Sequence, residues 1–179
     1  MGKGKKLLKT TKRGGGVRSK KNRNKKSSKV CNFSILGTNA AGLKAKKESL
    51  LKNIKLFNFP SVITVQESKF RKSGMFKIEN YQIFEKIRSG FGGGLLKAVN
   101  KSLEPVLLQA ANEESEILVV QCKIDRSDIR VINGYGPQED DPANKRLLFW
   151  HSIEQEIAAA KNANCMSLIQ MDGNQAGSN

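Results

Sequence analysis

The sequence holds one histidine, three cysteines and four prolines in 179 residues, and its first 29 residues contain no acid. Each scarcity excludes something. Cys31, Cys122 and Cys165 are odd in number and far apart. They make neither a disulfide framework nor a metal-ligand cluster, and a reducing, intracellular setting is expected. No apolar run reaches the roughly 18 residues that a membrane span requires, so no membrane partner is expected. The opening MGKGKKLLKTTKRGGG is basic, but no apolar stretch follows it, so it does not read as a secretory signal. It is dominated by Lys and has no apolar face, which argues against a mitochondrial transit peptide. The glycines of GGGLL (92–96) lack a Gly-Lys-Ser/Thr ending and do not open a helix. They read as a turn into a strand rather than a phosphate-binding loop. There is no internal repeat.

What is abundant is positive charge, and it is localised. The net charge is +16, and thirteen of the 32 Lys and Arg residues fall in residues 1–29. The remainder sets nineteen basic residues against sixteen acidic ones, close to balance. Residues 1–29 are therefore expected to be a disordered basic tail, because Gly, Ser, Lys and Arg offer too little apolar surface to offset the entropy of ordering. KKNRNKK (20–26) suits a nuclear-import signal or a phosphate-binding arm, and a purely solvated tail is the alternative. Nuclear localisation and a nucleic-acid partner are expected. No obligate protein partner is readable.

Residues 30–179 carry the pattern of a partial globular domain. VCNFSIL (30–36) reads as a buried strand and GTNAAG as a loop. Leu43, Leu50, Leu51 and Ile54 share one helix face, and SVITVQ (61–66) is a second strand after Pro60. Strand, helix and strand form a βαβ unit, expected to cross over right-handed. The middle changes character. YQIFEKI (81–87), GGLLKAVN (93–100), LEPVLL (103–108), EILVVQCKI (116–124) and DIRVING (128–134) are short strands separated by turn residues, which reads as an antiparallel meander. A helix follows Pro142, with Trp150, Ile153, Ile157 and Ala160 as its expected stripe, and a last strand (166–171) leads into MDGN. The fold class is mixed α/β (α+β), a layered sandwich.

Four apolar strands each end in an acid, an amide or a phenol. Asn39 follows the first, Glu67 the second, Asn133 and Tyr135 end strand 128–134, and Asp172 and Asn174 follow the last. Such residues gathered at one sheet edge suit phosphodiester chemistry with a divalent metal. Hard carboxylate oxygens from Glu67 and Asp172 suit Mg²⁺. Amides and a phenol can hydrogen-bond a phosphate as charge builds.

TNAAGL (38–43), TVQESK (64–69), GFGGGL (90–95), INGYGP (132–137) and MDGN (171–174) follow one another in a recognisable order. In that order and spacing the chain resembles the exonuclease/endonuclease/phosphatase superfamily. The resemblance is closest to the apurinic-type endonuclease domain of non-long-terminal-repeat retrotransposons, and it runs from about residue 30 to the end. It implies a four-layer α/β sandwich and a DNA endonuclease dependent on Mg²⁺ or Mn²⁺. It also implies roles. Glu67 matches the metal-binding Glu. Asp172 matches the Asp that orients or activates the attacking water, and Asn39 matches the Asn that supports it and contacts phosphate. Tyr135 matches the Tyr beside the scissile phosphate, and Asn174 matches a phosphate-binding Asn. Asn133 and Lys69 are carried over as substrate contacts, Lys69 to the nucleic-acid backbone.

The sequence departs from the family pattern in two ways. Met171 stands where the family has Gly before its catalytic Asp, and Gly173 follows that Asp. The family's later strands, with a further Asp and a closing Asp-His pair, have no counterpart. The one histidine, His151, lies in FWHSIEQEI within no family motif and reads as a helix-surface residue. The chain is therefore expected to be a C-terminally truncated, inactive fragment of such an enzyme. The alternatives are a non-catalytic nucleic-acid binder acting through its basic arm, and a phosphatase of the same superfamily.

Overall fold

The computed structural model describes residues 33–88 and 92–172. The basic tail, Cys31 and Asn174 lie outside the described residues, as do residues 30–32 of the first expected strand.

Strand β1 (Ile35–Asn39) pairs in parallel with β2 (Val62–Gln66), and helix α1 (Leu43–Leu56) connects them. Strand β3 (Tyr81–Lys86) and strand β4 (Leu95–Asn100) form an antiparallel pair, with β4 also lying antiparallel beside β2. The first sheet therefore has the order β1-β2-β4-β3. The second sheet begins with β5 (Val106–Leu108), β6 (Ile117–Ile124) and β7 (Ser127–Tyr135), which run antiparallel. Helix α2 (Ala143–Asn162) then returns the chain to β8 (Met166–Asp172), parallel to β7. The second sheet is β5-β6-β7-β8.

Alternation along the strands explains the layering, since successive side chains point to opposite faces. Ile63 and Val65 of β2, with Leu96 and Ala98 of β4, face α1 and pack on Leu43, Leu50 and Ile54. Val62, Leu95 and Val99 face the other sheet and meet Leu118, Val120 and Val131. On the far side, Ile117, Val119 and Ile132 receive Phe149 and Ile153 of α2. The result is four layers: helix, sheet, sheet, helix.

Several boundaries differ from the sequence reading. β1 begins at Ile35, and Gly37–Asn39 belong to the strand rather than a loop, because they pair with Thr64, Val65 and Gln66. Gly37 is required there. A Cβ on it would lie 1.1 Å from Nε2 of Gln170, whose amide fills the space between the sheets. The expected strand 103–108 is split, with Lys101–Leu103 forming a 3₁₀ turn. Pro105 follows, and only three residues remain for β5. The expected single meander is divided, with β3 and β4 in one sheet and β5–β7 in the other. In α2 the buried stripe is Phe149, Ser152, Ile153, Glu156 and Ala160, while Trp150 and Ile157 stay more than a third exposed. Two polar anchors choose that phase. Glu156 accepts a hydrogen bond from the Ala111 N–H (2.6 Å), and Ser152 meets Ser115 (3.0 Å).

Candidate active site

The C-terminal ends of β1, β2, β7 and β8 converge at one edge of the sandwich. The parallel register sets Tyr135 opposite Asp172 in one sheet and Asn39 opposite Gln66 in the other. Asn39 joins the two sheets. Its Nδ2 donates to Glu67 Oε1 (3.1 Å) and to Asp172 Oδ2 (2.6 Å), while its Oδ1 accepts from the Ala41 N–H (2.9 Å). The Tyr135 hydroxyl donates to the same Glu67 Oε1 (2.9 Å). Two carboxylates, an amide and a phenol thus form one hydrogen-bonded group.

Glu67 is held in an unusual backbone conformation. Glu67 (φ +49°) and Lys69 (φ +54°) are both left-handed without being glycine. Such residues persist where their surroundings over-determine them. Here the Gly42 and Leu43 N–H groups donate to the Glu67 and Ser68 carbonyls, and the Ser68 and Lys69 N–H groups donate to Gly94 and Gly93. The first of these bonds also serve α1, whose opening N–H groups have no partner within the helix. Gly94 (φ +83°) must be glycine, since a Cβ would come within 2.9 Å of Ser68 Oγ.

The electrostatics follow from this geometry. Burial raises the Glu67 carboxyl, but hydrogen bonds from Asn39, Tyr135 and Lys69 and the Lys69 charge outweigh it. The carboxyl sits below the usual Glu range, ionised at neutral pH. Lys69 Nζ lies 3.1 Å from Glu67 Oε2, an ion pair rather than a free cation beside the edge.

Asn133 corrects the expectation of a substrate contact. It is fully buried between the sheets. Its Oδ1 accepts from Gln66 Nε2 (2.7 Å), and its Nδ2 donates to the Val65 and Leu96 carbonyls (3.3 and 3.4 Å). It ties the strand carrying Tyr135 to the strand carrying Glu67, and so positions the site from beneath. Sequence reasoning missed the other polar residues of this layer. Thr64 Oγ1 donates to Gln170 Oε1 (2.7 Å). Lys97, also fully buried, donates to the Leu118 carbonyl (2.9 Å) and to the Val131 carbonyl. The signal was present, since Thr64, Gln66, Lys97 and Gln170 fall at the inward phase of otherwise apolar strands.

His151 lies exposed on α2 against Gln155 and Glu154. A cavity of about 670 Å³ opens beside Tyr135, lined by Arg88, Glu116, Gln138, Asn144 and Leu148 among others. Among the described residues, no three His, Cys, Asp or Glu side chains gather as a metal cluster. Glu67 and Asp172 are the residues that could hold a metal. Two hard carboxylates, with water completing the shell, fit Mg²⁺ or Mn²⁺ and do not fit a zinc site.

No family model matches the sequence, and no curated protein matches it. Solved structures do share the fold. The chain is similar to D. rerio TDP2 complexed with a single-strand DNA product, at 17% identity over 82% of this chain and 62% of that one, with a TM-score of 0.58. An AP endonuclease from Archaeoglobus fulgidus gives 17% identity, coverage of 78% and 56%, and a TM-score of 0.58. ANGEL2, a 2′,3′-cyclic phosphatase, gives 17% identity, coverage of 82% and 54%, and a TM-score of 0.58. These structures are of the exonuclease/endonuclease/phosphatase superfamily, and the fold of this chain is theirs. The chain spans between 54% and 62% of their lengths.

Proposed function

We propose that this chain is a Mg²⁺- or Mn²⁺-dependent phosphodiester hydrolase of that superfamily. In this reading it acts on DNA as an endonuclease and derives from the apurinic-type domain of a non-long-terminal-repeat retrotransposon. The observation that carries the proposal is Asn39, one amide holding Glu67 and Asp172 together across two sheets. Glu67 would hold the metal, which would polarise the phosphate and acidify water. Asp172, fixed by Asn39, orients the attacking water or takes its proton. Tyr135 stands beside the scissile phosphate, and Asn174 adds a hydrogen bond to it. DNA is favoured by the thirteen basic residues of the tail, by the retrotransposon resemblance and by the DNA product on D. rerio TDP2.

The test is nicking of supercoiled DNA in Mg²⁺ against a chelator control. Glu67→Ala and Asp172→Ala are each expected to abolish the metal-dependent nicking. Full activity in either variant would remove the assignment. A second reading, binding without cutting, is favoured by the thirteen Lys and Arg residues of the tail. It predicts binding that weakens steeply with salt, needs no Mg²⁺ and disappears when residues 1–29 are deleted. Turnover of a 2′,3′-cyclic or small phosphate ester in place of DNA would instead move the chain to the phosphatase branch.

A further inference from the structure

We propose that Lys69 is a built-in counter-cation that occupies the metal-facing oxygen of Glu67 and competes with the divalent ion for it. The inference rests on the reading of Glu67 as the metal ligand. Glu67 Oε1 already accepts from Asn39 and Tyr135, so Oε2 is the oxygen left for a cation. Lys69 Nζ sits on it at 3.1 Å. This contact is built by the backbone. The left-handed pair Glu67 and Lys69, clamped by Gly42, Leu43, Gly93 and Gly94, turns both side chains to the same side of the chain. The Lys69 stem lies along Gly42, where its Cδ is 3.7 Å from the place of a Cβ.

An ammonium and a divalent cation on one carboxylate oxygen repel each other, so each weakens the binding of the other. The Lys69 side chain is 43% exposed. Ion pairs that open to water are weak and are given up readily. The metal therefore displaces the ammonium rather than being excluded by it, at the cost of a weaker apparent affinity. Displaced, the ammonium stays tethered beside the site, 43% exposed, where a phosphate could take it up. Without metal it neutralises Glu67. With metal it is released towards the polyanion. The device offsets the Glu67 charge before the metal arrives and links metal binding to phosphate binding, a coupling that must be reciprocal.

The experiment is a calorimetric titration of Mn²⁺ into the whole chain, in the wild type and in Lys69→Met, Lys69→Arg and Glu67→Gln. Lys69→Met is expected to bind Mn²⁺ about two- to five-fold more tightly than wild type. Lys69→Arg, which keeps the charge, is expected to stay close to wild type, and Glu67→Gln to lose the site. Equal or weaker binding by a folded Lys69→Met, with Glu67→Gln still inactive in binding, would overturn this inference and leave the metal reading standing. Tightening by Lys69→Arg as large as by Lys69→Met would also overturn it, since the effect would not then follow charge. Binding that is indifferent to Glu67→Gln, or absent from every variant, would overturn the metal reading and this inference with it.

Discussion

The layer between the two sheets has two unlike ends. At one end Phe33, Ile35, Val62, Leu103, Val120, Ile124 and Leu168 make an apolar core with no polar side chain among them. At the other, Thr64, Gln66, Lys97, Asn133 and Gln170 cross the same layer through hydrogen bonds and lead up to Asn39, Glu67, Tyr135 and Asp172. The same strands build both ends. The apolar end is held by contacts that do not depend on direction. The polar end is held by directional bonds, which fix where each group points and leave a penalty if one partner is lost. One end supplies stability, and the other turns it into a geometry.

Three substitutions should separate these roles. The largest effect is expected from Ile129→Ala at the apolar end, where the side chain is 5% exposed. A loss of about 2–5 kcal/mol is expected in chemical denaturation, with Mn²⁺ affinity of the folded protein unchanged. A fall in affinity matching the fall in stability would erase the contrast. Next comes Gly37→Ala, which drives a methyl into the Gln170 amide. It should cost about 1–3 kcal/mol, and adding Gln170→Ala should recover most of it. Absence of recovery would place the strain in the β1 backbone instead of the polar crossing.

The smallest effect is expected from Lys97→Met. Burial pushes the Lys97 amine well below its usual value of 10.5. Two carbonyls face it, which matches the two N–H groups of a neutral amine. Between its folded and unfolded values the unfolded chain binds a proton that the folded chain does not, so stability falls as pH drops from about 10.5 through the alkaline range. Below the folded value the contribution is flat. Lys97→Met should abolish this slope in urea titrations at several pH values. A wild-type curve without the slope would mean that the amine is charged in the fold.

The same contrast shows what the sequence could reveal. Asn39, Glu67, Tyr135 and Asp172 were legible as a set because each ends an apolar strand, and parallel pairing brings such ends together. Asn133 was legible as a site residue but not in its depth. It shares a face with Tyr135 two residues on, and alternation gives the face without saying how far inside it lies. Lys97 looked like an ordinary break in LLKAVN because the carbonyls that accept from it come from β6 and β7, more than twenty residues away. A layered α/β sandwich was readable from the order of elements, and its four layers followed from the family resemblance. The helix phase of α2 was not readable. Trp150 is the larger apolar residue, yet Phe149 is buried, because Ser152 and Glu156 set the rotation through bonds to Ser115 and Ala111. A polar anchor decided what an apolar count could not.

The central claim is that the polar end of this layer binds a hard divalent cation at Glu67. Paramagnetic broadening of amide resonances by substoichiometric Mn²⁺ tests it most directly. The account predicts broadening centred on Asn39, Glu67, Tyr135 and Asp172, sparing Phe33, Leu103 and Ile124 at the apolar end, and lost in Glu67→Gln. Broadening centred elsewhere, or unchanged in Glu67→Gln, would contradict it.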